Sequence, residues 1–122
     1  MKWKTVYRII FFLWVGIIGV LSVIPSPDRV VSVSDKFAHF VAYFITASLC
    51  YCAFKREKLS SLLILGVGVF LYGIAIEVVQ YFLPYRDFSV GDIIANASGI
   101  GSFFVIWGVY SRTLRQKRGR LK

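Results

Sequence analysis

Six polar residues, Glu77, Gln80, Arg86, Asp87, Asp92 and Asn96, fall within the twenty positions EVVQYFLPYRDFSVGDIIAN (77–96). That stretch joins two apolar runs, each long enough to cross a bilayer. Acids and amides inside a membrane segment cost energy, and they face a protein interior or a water-filled cavity. Their types admit several chemistries. His39, with Glu77 and Asp92 at the same depth, could act as a general base. Arg86 could pair with Asp87 or Asp92, or hold a phosphate of a lipid headgroup or lipid-linked sugar. Asp, His and Glu together could ligate a metal, although the spacing is not diagnostic of one. The plainer alternative is a buried hydrogen-bonded network that sets helix register. No glycine-rich phosphate loop, nucleophile elbow or His-acid-Ser order is present, so no cofactor is expected.

The elements that position these groups follow from the hydropathy pattern. The chain has 122 residues, 57% hydrophobic and 17% charged, with the apolar residues in long blocks. A soluble domain of this size could not hide that much apolar surface, so the pattern predicts one integral membrane domain. The net charge of +9 does not signal nucleic acid, because the cations cluster at the ends of apolar runs. Cys50 and Cys52, two apart on a helix, point to different sides and imply neither a shared metal nor a disulfide. The first apolar run is too long for a secretory h-region and lacks a cleavage site, so it is expected to be a retained span.

Four helices are predicted in an all-α, four-transmembrane-helix bundle. The first covers about Val6 to Ile24, or roughly 28 Å, and Pro25 and Pro27 end it. The second runs from about Lys36 to Phe54, with Ser34 or Asp35 as its cap. The third runs from about Leu59 to Leu83 and ends before Pro84. The fourth runs from about Val90 to Tyr110. It starts at Ser89-Val90-Gly91-Asp92, a capping box with Asp92 in place of Glu. Residues 111–122 form a basic tail suited to an anionic membrane surface. Ala95 and Gly99, and Ala97 and Gly101, make small-xxx-small pairs that predict close packing of helix four.

Twelve lysines and arginines fall in the N-terminal end, the Lys55–Lys58 turn and the tail, against Arg29, Lys36 and Arg86 in the other two loops. The positive-inside rule then predicts cytoplasmic termini and an outward-facing polar zone. Asp35, His39 and Tyr43 form an i, i+4, i+8 stripe on helix two. That stripe joins Glu77 and Gln80 of helix three and Asp92 and Asn96 of helix four at one level. Asn96 is expected to bond across to Glu77 or Gln80. Asp92 is either a site residue or an acid favoured by the helix dipole.

Together these residues carry a resemblance. Asp35-Lys36-x-x-His39-Phe40-x-x-Tyr43, then Glu77-x-x-Gln80, then Arg86-x-x-Ser89-x-x-Asp92-x-x-x-Asn96-x-x-Gly99, resemble the motifs of the VanZ-like family of small bacterial membrane proteins. The likeness covers about Asp35 to Gly101 without departure at the motif positions. It implies that Asp35, Lys36, His39, Tyr43, Glu77, Gln80, Arg86, Asp92 and Asn96 are the characteristic positions. It also implies a role in the bacterial cell envelope, where the family's namesake is associated with low-level teicoplanin resistance.

The expectation is therefore a multi-pass plasma-membrane protein with an outward-facing polar pocket. The pocket would bind an anionic or glycosylated envelope lipid or a lipid-linked cell-wall precursor. Arg86 and Lys36 would hold the anion, and His39 and Glu77 would order the pocket. Two other readings are an enzyme acting on lipid headgroups with His39 or Glu77 as acid/base, and an accessory subunit with a closed polar network.

Overall fold

The computed structural model describes residues 2–24, 33–55, 58–85 and 88–121, with only the backbone described at 33–35. Arg86 and the side chain of Asp35 lie outside the described residues. The chain forms α1 (Lys2–Val23), α2 (Val33–Phe54), α3 (Leu59–Tyr81) and α4 (Val90–Arg120). All four are long and apolar enough to cross a membrane, as expected. They run alternately up and down, so the ends of α1 and α3 and the starts of α2 and α4 share one end of the bundle with the polar residues. The basic segments share the other end.

Helix limits follow local chemistry. At the end of α3, Phe82 N–H donates to Val79 O and Leu83 N–H to Gln80 O, both at 3.1 Å, which tightens the chain into the turn at Pro84. Ser89 caps α4, its hydroxyl oxygen accepting the N–H of Asp92 at 3.3 Å. At its other end α4 continues through residues 111–120. Its 31 residues extend about 46 Å, well beyond a hydrocarbon core of about 30 Å. Serine, threonine, arginine, lysine and glutamine carry no backbone penalty that would stop the helix there, and the lysines and arginines near its end suit the negative pole of the helix dipole.

The core lies where α2 meets α4 and α3. Tyr43, Ala47, Cys50, Val69, Ile100 and Phe103 form its buried cluster. On α3 the buried positions are Leu62, Gly66, Val69, Gly73, Ile76, Glu77 and Gln80, the three-and-four spacing of one helix face. Of the two small-residue pairs on α4, one meets α2. A Cβ at Gly99 would collide with the backbone oxygen of Phe40, whereas one at Gly101 would meet nothing within 4 Å. Gly99 therefore permits the tight α2–α4 crossing, and Gly101 faces away from the bundle. Both cysteines are free, with Cys50 buried.

α1 has no buried residues. It packs chiefly on α2, and Trp14 Nε1 donates to Thr46 Oγ1 at 2.9 Å. At the basic end Arg8 Nε donates to the carbonyl of Ala53 at 3.2 Å, and its guanidinium sits 5.5 Å over the Phe54 ring. A cation there meets the unpaired carbonyls and negative pole of the α2 terminus. Towards α3 the contacts are made by α3 side chains and the turn after it. Tyr72 donates to Val15 O at 2.6 Å, Gln80 to Ser22 O at 2.8 Å, and Tyr85 to Val23 O at 2.5 Å.

Candidate functional site: a polar network beside a cavity

The polar residues divide into two groups that share His39. The first group ties α2 to α4. Lys36 Nζ donates to Asp92 Oδ1 at 3.0 Å and to Ser89 Oγ at 3.1 Å. His39 Nδ1 pairs with Asn96 Oδ1 at 3.0 Å, so with the amide placed this way Nδ1 carries the hydrogen. His39 Nε2 lies 3.6 Å from Asp92 Oδ2, too long for a hydrogen bond but close enough for Coulomb attraction when the ring is protonated. Asp92 thus sits between Lys36 and His39 while also occupying the first turn of α4. The acid favoured by the helix dipole is thus also the partner of Lys36.

Glu77 extends this network to α3. It is fully buried, and its Oε1 accepts the backbone N–H of Ser89 at 2.7 Å. In a reciprocal capping box the acid three residues into the helix would take that N–H. Here Asp92 turns to Lys36, and Glu77 of the preceding helix takes the vacant role. Its other oxygen, Oε2, has no hydrogen-bond partner among the described residues. A buried acceptor left unpaired costs about 1–3 kcal/mol, so this atom is primed for a donor.

The expected bond from Asn96 to Glu77 or Gln80 is not formed. Asn96 pairs with His39, and Gln80 turns the opposite way to α1. The rotation of α4 that seats Gly99 on Phe40 carries Asn96, three residues earlier, onto the same α2 face.

The second group surrounds a cavity of about 250 Å³ between α1, α2 and the end of α3. His39, Tyr43, Gln80 and Ser22 give it polar groups, and Trp14, Ile17, Ile18 and Leu21 of α1 form an apolar wall. Tyr43 is only 2% exposed. A Cβ at Gly73 would come within 3.1 Å of its hydroxyl and within 2.9 Å of the Asn96 amide nitrogen. The glycine therefore leaves room for both groups against α3. Lys36, Asp92, Asn96 and Glu77 do not line this cavity.

Of the nine predicted positions, seven have described side chains. Lys36, His39, Glu77, Asp92 and Asn96 join the network, and His39, Tyr43 and Gln80 line the cavity. The contribution of α1, through Trp14 and Ser22, was missed. The signal available was an indole and a hydroxyl deep in an apolar helix, since both require partners when buried. The nitrogens of His39 are directed at Asn96 and Asp92, an arrangement that holds the ring. Among the described residues no three His, Cys, Asp or Glu side chains converge as metal ligands would.

The uncharacterized protein C11E3.10 of Schizosaccharomyces pombe is 34% identical to this chain over 94 residues. That match covers 75% of this chain but only 57% of the relative, so the chain spans less than two thirds of the relative's length. No solved structure matches. A family profile described as VanZ/LLP1 matches residues 3–111, a stretch that contains all four apolar segments and every polar position described above. The chain belongs to the VanZ/LLP1 family.

Proposed function

We propose that this chain is a multi-pass protein of the bacterial plasma membrane, with both termini cytoplasmic, that holds a glycosylated envelope lipid or lipid-linked cell-wall precursor. By doing so it lowers susceptibility to teicoplanin-type lipoglycopeptides. The observation that carries the reading is the cavity between α1, α2 and α3, with buried Tyr43 and Gln80 on its wall. Specific small-molecule sites combine apolar walls with a few placed polar groups. Tyr43 and Gln80 supply those groups, and Trp14 offers an apolar indole surface.

Charge narrows the ligand class. Lys36 is engaged by Asp92 and Ser89, and among the described residues no lysine or arginine lines the cavity. This lining favours a neutral, hydroxyl-rich headgroup over a strongly anionic one. The bias of basic residues towards the opposite end of the bundle supports an outward-facing cavity.

A second role is favoured by the Lys36–Asp92 and His39–Asn96 bonds, which join α2 to α4 without lining the cavity. They act as scaffold, and the cavity binds. The test separates the two. Tyr43→Phe and Gln80→Met are introduced into a susceptible host expressing the protein, and teicoplanin susceptibility is measured alongside the amount of inserted protein. Loss of protection at normal protein levels is expected. Full protection by both variants would sink the cavity reading.

A further inference from the structure

A second cavity, of about 290 Å³, lies nearer the basic end of the bundle. Phe11, Phe12, Val15, Phe54, Leu65 and Val69 supply its apolar surface, and Gly68 opens its wall. Its polar-bearing residues are already satisfied internally. Thr46 donates to Ala42 O and accepts from Trp14, and Tyr72 donates to Val15 O. Water needs two to four polar partners in such a space and finds none offered here. For scale, an apolar cavity of about 150 Å³ lined by similar residues stays dry and takes up benzene.

The two cavities follow one another along α1. The first takes Trp14, Ile17, Ile18, Leu21 and Ser22, and the second takes Phe11, Phe12 and Val15. The Trp14–Thr46 hydrogen bond marks the level between them, since Trp14 lines the first and Thr46 the second. A headgroup in the polar cavity would therefore have its tail directed towards the apolar one, at the depth of the hydrocarbon.

We infer that the second cavity is a binding site for an acyl chain of a membrane lipid, so that the full ligand is an amphiphile held at both ends along α1. The inference rests on the reading of the polar cavity as a headgroup site for its orientation, but the chain site can be tested separately. Gly68 provides the means. A Cβ there meets nothing within 4 Å, so Gly68→Leu starts its side chain in open space at the cavity wall. Ile64→Trp, at an exposed position on the cavity's edge, narrows it by a second route. Gly101→Leu, on the outward face of α4, is the control.

The delipidated full chain is titrated in detergent, with bound lipid counted by native mass spectrometry. The probes are dioleoyl monoglucosyldiacylglycerol, its dihexanoyl counterpart, and dioleoylglycerol without sugar. The wild type should prefer long chains over short. Gly68→Leu and Ile64→Trp should each weaken the dioleoyl glucolipid about tenfold while leaving the dihexanoyl form unchanged. Gly101→Leu should change neither. Gln80→Ala should remove the preference for the sugar while keeping that for long chains. If Gln80→Ala leaves the sugar preference intact while Gly68→Leu abolishes the chain preference, the headgroup reading fails and the acyl site stands. No chain preference in the wild type would overturn the acyl site. So would an unchanged preference in both cavity variants, or a dimer that Gly68→Leu dissociates.

Discussion

Glu77 Oε1 accepts the backbone N–H of Ser89, closing from α3 the capping box that α4 leaves half open. One carboxyl group thereby fixes where α4 begins relative to where α3 ends. Substitution should reveal this as a stability effect. Glu77→Ala orphans the Ser89 N–H and is expected to cost about 1–3 kcal/mol. Glu77→Gln keeps an acceptor and should retain most of that stability. Thermal unfolding in detergent distinguishes the two, and an alanine variant as stable as the wild type would contradict the assignment.

Lys36 is expected to be the most sensitive member of the α2–α4 network. Its removal leaves the Asp92 carboxylate, whose side chain is 10% exposed, without its cation. Lys36→Met should therefore destabilise more than Asp92→Ala, because after the latter Lys36, 37% exposed, keeps Ser89 Oγ and can turn to water. A double-mutant cycle between them should return a coupling of about 0.5–3 kcal/mol. A coupling indistinguishable from zero would make the contact incidental.

The two glycines of α4 should respond in opposite ways to the same change. At Gly99 an added methyl group meets the backbone oxygen of Phe40, which no rotamer change can move aside. Gly99→Ala should cost about 1–3 kcal/mol through forced separation of α2 and α4. Gly101→Ala adds its methyl to open space and should stay within about 0.5 kcal/mol of the wild type. Equal effects at the two positions would refute the crossing described here.

Trp14→Phe keeps an aromatic ring in the cavity wall and removes the donor to Thr46. The expected loss is about 0.5–1.5 kcal/mol. In a background with Trp3 and Trp107 replaced by Phe, Trp14 fluorescence should shift when a glucolipid enters the polar cavity. It should not shift in the Tyr43→Phe, Gln80→Met double variant. A spectrum that ignores the lipid would count against a ligand beside Trp14.

Much of this was legible before any coordinates. Glu77, Asp92 and Asn96 marked the inward faces of α3 and α4, because an ionisable group in an apolar helix has only one tolerable direction. The stripe of His39 and Tyr43 did the same for α2. The pairing was harder to read. Asn96 meets His39 and not Glu77 or Gln80, a choice set by helix rotation. Helices apolar on all sides give little periodic signal of their rotation. The division of the predicted pocket into a bonded network and a separate cavity follows from the same rotation. α1 was the least legible element, since its docking on α3 depends on carbonyl groups that every sequence possesses.

That last property has a consequence. The hydrogen bonds from Tyr72, Gln80 and Tyr85 grip α1 by its main chain at Val15, Ser22 and Val23. Specificity on that side is thus written on the gripping residues of α3 and the turn after it, while Arg8 and Trp14 hold α1 to α2 by their side chains. Since α1 also forms one wall of both cavities, lining residues such as Ile17 and Ile18 can be retuned to remodel what the protein accommodates while the main-chain grip persists.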